Sequence, residues 1–235
     1  MLDLIGWIVV MSAIGIDLVA VTQALPGTLA RRLGLAAIAA GWVGLASGLG
    51  AAGQLAFSPG NPVPLIGVLF GLPLLAVGVL ALGSQGARTA LLAVPMPLLI
   101  GVNSLRVLGV LFLLLAASGR LSGPFPYLAG IGDIITGGLA LPLALRVARS
   151  GRASGAVRLW NIFGTLDLVV AMSLGITSAA GSPLQLIHAG VGSEAMQYLP
   201  YCLVPTVLVP FYLITHAIVA AQLAAARRVP ALSAA

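Results

Sequence analysis

The chain has 235 residues, of which 60% are hydrophobic and only 7% charged, with a mean hydropathy of +1.14. A soluble domain carries about 25% charged residues, so the composition excludes a soluble globular protein and predicts an all-α polytopic membrane bundle. Lysine is absent and the eleven basic residues are all arginine, giving a net charge of +6. These arginines flank apolar runs, so membrane orientation and anionic lipid headgroups explain them, and nucleic acid is not an expected partner.

In chain order, the first apolar run starts at Leu4 without a preceding basic segment, which fits a retained helix better than a cleaved signal peptide. Runs of about 20 apolar residues place seven spans near 4–25, 33–55, 64–83, 97–118, 125–146, 159–179 and 201–224 of a single membrane domain, 1–235. Ser58-Pro59-Gly60-Asn61-Pro62 is a turn cluster. Thr89 to Gly119 is too long for one straight span, and Pro95 and Pro97 divide it into a short interfacial piece and the fourth helix. Residues 147–157, rich in Ser, Gly and Arg, form the main loop on one side. The longest loop, about 180–200, lies on the other side and carries His188 and Glu194.

The arginines orient these spans. Arg31, Arg32, Arg88, Arg146, Arg149, Arg152, Arg158, Arg227 and Arg228 fall on one side, Arg120 alone on the other, and Arg106 inside the membrane. The positive-inside rule then puts the N-terminus outside and the C-terminus in the cytoplasm.

An internal repeat is a further expectation. Asp17-Leu-Val-Ala-Val-Thr-Gln-Ala-Leu-Pro26 parallels Asp133-Ile-Ile-Thr-Gly-Gly-Leu-Ala-Leu-Pro142. Each is followed by arginines, a tryptophan helix (Trp42 or Trp160) and a proline-interrupted helix. A 3+1+3 parallel arrangement follows, of a kind that occurs in transporters. Chance recurrence of Ala-Leu-Pro in an Ala/Leu-rich chain is the competing explanation.

The polar residues inside the spans are the candidate site. Asp17, Asp133, Asp167 and Arg106 each cost about 2.5–3.5 kcal/mol at a helix centre unless paired or hydrated. Together they approach the net stability of a whole domain, about 5–15 kcal/mol. Asn161, Gly164 and Asp167 share one helix face at three-residue spacing, as do Asn103, Arg106 and Gly109. Gly130, Asp133 and Gly137 make a small-residue stripe, and Tyr212 and His216 share a face. By helical rise, Arg106, Asp167 and His216 fall near the membrane middle, Asp133 outward and Asp17 inward. Such a ladder suits a proton or ion pathway. The alternatives are a structural ion pair at Arg106, a hydrogen-bonded acid at Asp17 and a packing role for His216.

Several chemistries are disfavoured. Without lysine there is no retinal Schiff base, no histidine pair has bis-His haem spacing, and the single Cys202 leaves no multi-cysteine metal site. No cofactor or metal is expected. Gly44-Leu-Ala-Ser47-Gly48 with a downstream His216 is similar to the serine string of rhomboid proteases. It lies in a Gly/Ala-rich helix and lacks an oxyanion-forming His/Asn pair, so a non-enzymatic function is expected.

The strings Gly-Asp-Ile-Ile-Thr-Gly (132–137) and Trp-Asn-Ile-Phe-Gly-Thr-Leu-Asp-Leu (160–168), with the Pro/His pattern of the last helix, resemble an uncharacterised family of small seven-helix bacterial membrane proteins. That resemblance implies the bacterial inner membrane and carries no activity with it. Two functions remain. One is a small carrier, open to proton coupling, whose substrate or ion site is formed by Asp133, Asp167, Arg106, Asp17, His216, Asn103 and Asn161. The other is a non-catalytic subunit of a larger membrane complex, touching other subunits, its own copies or a pigment. The orientation is testable directly: a reporter fused after Arg228 is expected to be active only in its cytoplasmic form, and one within 180–200 only in its external form. The opposite pattern would overturn the assignment.

Overall fold

The structure, a computed structural model, describes residues 1–58, 61, 65–151, 153 and 155–232, with side chains up to residue 226. Its helices are α1 (Leu2–Ala24), α2 (Leu29–Ala51), α3 (Ile66–Gly83), α4 (Gln85–Leu92), α5 (Met96–Val102), α6 (Val110–Ala117), α7 (Phe125–Ser150), α8 (Gly155–Thr177) and α9 (Val209–Leu232). A 3-10 segment, Asn103–Gly109, joins α5 to α6, and a π-helical segment, Val204–Leu208, leads into α9. Among the described residues, seven stretches are long and apolar enough to cross a membrane: α1, α2, α3, Met96–Ala117, α7, α8 and Val204–Ala226. The chain is an all-α bundle and a multi-pass membrane protein.

Capping residues move several expected boundaries. Thr28 accepts the Arg31 N–H at 3.3 Å and starts α2 at Leu29 rather than 33. Arg31 and Arg32 therefore sit in its first turn. The helix ends at Ala51 rather than 55, just before Gly53 at φ +71°. Gly151, at φ +63°, closes α7 by donating to Val147 O. With α8 resuming at Gly155, the two helices take up most of the expected 147–157 loop. Arg152, Pro59, Gly60 and Pro62 lie outside the described residues, as do the side chains of Arg227 and Arg228.

Proline shapes the fourth and seventh spans. Pro95 caps α5 and separates it from the short α4, so the expected division is present. Gln222 Nε2 donates to Leu92 O (3.0 Å) and Val94 O (2.7 Å), carbonyls around that break. Pro210 has no N–H to offer Thr206 O four residues back. The Trp42 indole fills the gap, donating to Thr206 O at 3.1 Å and tying α2 to the seventh span.

At the centre lies α7, against which α5, the 3-10 segment, α6 and α8 all pack. α9 packs on α3, α5 and α8, while α1 and α2 lie at the periphery. α3 and α8 both flank α9 without packing closely on each other. The tightest crossing is between the 3-10 segment and α7. A Cβ at Gly137 would lie 2.5 Å from Val107 N and 3.0 Å from Arg106 C, so only glycine lets Arg106 come this close to α7.

The two similar segments end differently in the fold. α1 ends at Ala24, before Pro26, whereas Pro142 lies inside α7.

Candidate functional site

Arg106 sits in the 3-10 segment, where three residues per turn stack i and i+3. That geometry aligns Asn103, Arg106 and Gly109 on one buried face. The run of seven is longer than the usual three or four residues, and it is held against α7 by the glycine crossing.

The guanidinium there serves three helices at once. Its Nε donates to Asp133 Oδ1 on α7 at 2.7 Å, and its Nη2 donates to Asp167 Oδ2 on α8 in a second ion pair. Nη1 donates to Gly164 O at 3.2 Å and meets His216 Nε2 on α9 at 3.0 Å. Guanidinium nitrogens only donate, so Nε2 of His216 accepts and its proton sits on Nδ1. That Nδ1 lies 2.9 Å from Asn161 Oδ1, which accepts it. The imidazole in this arrangement is neutral, and its orientation is set from both ends. The Trp160 ring lies 4.9 Å from it, and the Trp160 indole donates to Thr136 O at 2.9 Å.

Glycines make room for these groups. A Cβ at Gly132 would overlap the Asp167 carboxylate, and one at Gly164 would lie 2.6 Å from the His216 ring. In the sequence Gly132 carries no mark of a site residue beyond its place immediately before Asp133. Its role depends on where α8 lies, which spacing alone does not reveal.

The cluster holds two carboxylates and one guanidinium. Arg106 is sealed, with its side chain 1% exposed, whereas the Asp133 side chain is 16% exposed. Asp133 Oδ2 has no hydrogen-bond partner among the described residues. It borders an apolar cavity of about 270 Å³, walled by α3, α7, α8 and the seventh span and roofed by the 178–200 segment. Ser193 Oγ ties that segment to Gly175 O at 2.6 Å, and Gln197 Oε1 accepts the Phe57 N–H at 2.8 Å. A second cavity of about 50 Å³, bordered by Arg106, Asp133 and Tyr212, lies toward α1. It has room for a few water molecules.

The other expected site residues are placed apart. Asp17 is buried on α1, and no ion pair reaches its carboxylate among the described residues. Tyr212 interacts with it electrostatically, and with Asp133 and Arg106, so Tyr212 stands between Asp17 and the cluster. Asn103 does not join the cluster. Its Nδ2 donates to Leu99 O (2.8 Å) and Thr215 Oγ1 (3.0 Å), which ties the fourth span to the seventh. Both His216 nitrogens are engaged within the cluster, and Ser47 is on α2, which contributes nothing to it. Among the described residues no three His, Cys, Asp or Glu side chains converge as a metal site.

Arg106→Ala leaves two buried carboxylates without their cation, a change that costs about 3–5 kcal/mol in buried pairs. The melting temperature in detergent is expected to fall sharply, and adding Asp167→Asn should recover part of the loss. An unchanged melting temperature in the single variant would contradict the pairing.

No curated protein and no solved structure matches the chain. A family model described as Domain of unknown function (DUF8737) matches residues 63–224. That stretch runs from just before α3 to near the end of the seventh span and includes Arg106, Asp133, Asn161, Asp167 and His216. The chain belongs to this family of unknown function.

Proposed function

We propose that the protein is a small proton-coupled carrier of the bacterial inner membrane, with its N-terminus outside and its C-terminus cytoplasmic. The observation that carries this reading is the charge imbalance at the cluster: two carboxylates share one guanidinium, and one of them borders a cavity. A buried charge without a counter-charge is costly. With both carboxylates ionised the cluster bears one uncompensated negative charge, which a proton on Asp133 removes. Asp133 is the member that borders both cavities, so it is the exchanging group, and Asp167 is the fixed partner of Arg106.

The neighbouring groups supply a way onward. From Asp133 the 50 Å³ cavity leads past Arg106 to Tyr212, and Tyr212 leads to Asp17 on α1. Asp17 lies nearer the arginine-rich end of its helix than the N-terminal end. The order of groups is that of a relay across the bilayer, and intramembrane carboxylates of this kind mark proton pathways. Large apolar side chains are exposed on the first six spans. This favours a chain surrounded by lipid over a subunit with one face covered by partners.

Infrared spectroscopy of the reconstituted protein tests the proposal without a substrate. On going from acid to alkaline pH, a carboxylic-acid C=O band is expected to disappear, and Asp133→Asn is expected to remove that band while the protein still folds. A spectrum indifferent to pH, or a band untouched by Asp133→Asn, would reduce the cluster to a structural ion pair.

A further inference from the structure

The larger cavity has a chemistry of its own. Asp133 is the only charged side chain on its wall, among the described residues. The remainder is apolar apart from a few Ser and Gln side chains, and it includes four phenylalanines, Phe57, Phe70, Phe112 and Phe125. Phe112 and Phe125 meet edge to face with centroids 5.7 Å apart. Aromatic rings around a carboxylate form a site that attracts organic cations, because ring faces carry negative electrostatic potential. A sugar or amino acid would leave its polar groups unpaired here, and an anion would face Asp133 directly.

The cavity also has a side opening. Ile66, Gly67 and Phe70 of α3 form one wall and Ala171, Met172 and Gly175 of α8 another, yet these two helices do not pack closely together. A Cβ built on Gly67 meets nothing within 4 Å. The gap between α3 and α8 therefore faces the lipid-exposed flank of the bundle at the depth of the cavity. The volume, about 270 Å³, lies just below the usual range of small-molecule pockets, about 300–1,000 Å³, which limits a ligand to roughly the size of one substituted ring.

We infer that this cavity binds a small lipophilic monocation, which arrives from the bilayer between α3 and α8 and takes the place of a proton at Asp133. The inference rests on the carrier reading and names its cargo. The exchange conserves charge. The proton leaves Asp133 Oδ2 for solvent as the cation settles beside the carboxylate, and the Asp167–Arg106 pair is untouched. Because the two ligands compete for one carboxylate, the arrangement is that of proton–cation exchange.

The test uses benzyltrimethylammonium, whose charge does not change with pH, and calorimetry on the full-length protein in lipid nanodiscs. Binding is expected to be saturable, and measurements in two buffers of different ionisation enthalpy should report about one proton released per cation. Affinity should fall about tenfold per pH unit on the acid side of the Asp133 titration. Asp133→Asn should abolish binding. Gly67→Phe, which places a ring in the gap far from the ion pairs, should weaken it at least tenfold without lowering the melting temperature. Benzylsulfonate, similar in size and opposite in charge, should not bind. Failure of the cation to bind the wild-type protein, equal binding of benzylsulfonate, or binding retained in Asp133→Asn would overturn the inference. Binding without proton release would overturn the exchange. If the cation fails while the infrared titration of Asp133 persists, the proton site stands and only its cargo is wrong.

Discussion

One guanidinium, sealed in the membrane interior and shared by two carboxylates, is the interaction on which the rest of the structure depends. Arg106 draws Asp133 of α7, Asp167 of α8 and His216 of α9 to one point. Everything near that point is arranged to let them meet. Gly137 brings the Arg106 backbone against α7, Gly132 leaves space for the Asp167 carboxylate, and Gly164 leaves space for the imidazole. Buried ion pairs are not strong sources of net stability, because desolvation offsets most of their attraction. Their larger effect is on alternatives: any rotation of these helices that separates Arg106 from its carboxylates leaves bare charges in an apolar surrounding. The cluster thus sets helix register, while apolar packing supplies the bulk of the cohesion.

On the carrier reading, the second carboxylate has a use that pairing with Arg106 does not supply. One carboxylate would neutralise Arg106, and a second, placed beside a cavity, adds a charge that must be met by something else. Pairing alone would also leave no reason for the 270 Å³ space at Asp133, since cavities reduce the contacts that stabilise a bundle. The family match covers 63–224 and contains every member of the cluster, whereas α1, with Asp17, lies outside the matched stretch.

Much of the fold could be read from the sequence because a bilayer imposes simple rules: apolar runs of fixed length, bounded by Pro, Gly or Arg. The seven spans and the break at Pro95 came from these rules. Helix ends were less accurate, as at 29 rather than 33 for α2, because they depend on single capping hydrogen bonds such as that of Thr28. Three-residue spacing identified the faces of Arg106 and Asp167, but periodicity reports which residues share a face, not which helix that face meets. Asn103 shares the Arg106 face and yet ties to Thr215. Asp17 belongs to the same set of costly acids and yet sits one side chain away from the cluster, behind Tyr212. Neither the cavity nor its opening between α3 and α8 leaves a trace in local sequence, since both come from two helices that do not pack closely.

The central claim is that Asp133 holds an exchangeable proton in a cavity reached from the apolar phase. Labelling with dicyclohexylcarbodiimide, an apolar reagent that adds to protonated carboxyl groups, followed by mass spectrometry of the reconstituted protein, addresses that claim in one measurement. The account predicts an adduct on Asp133, increasing as the pH is lowered and blocked by benzyltrimethylammonium. An unmodified Asp133, or labelling that does not change with pH, would contradict the account.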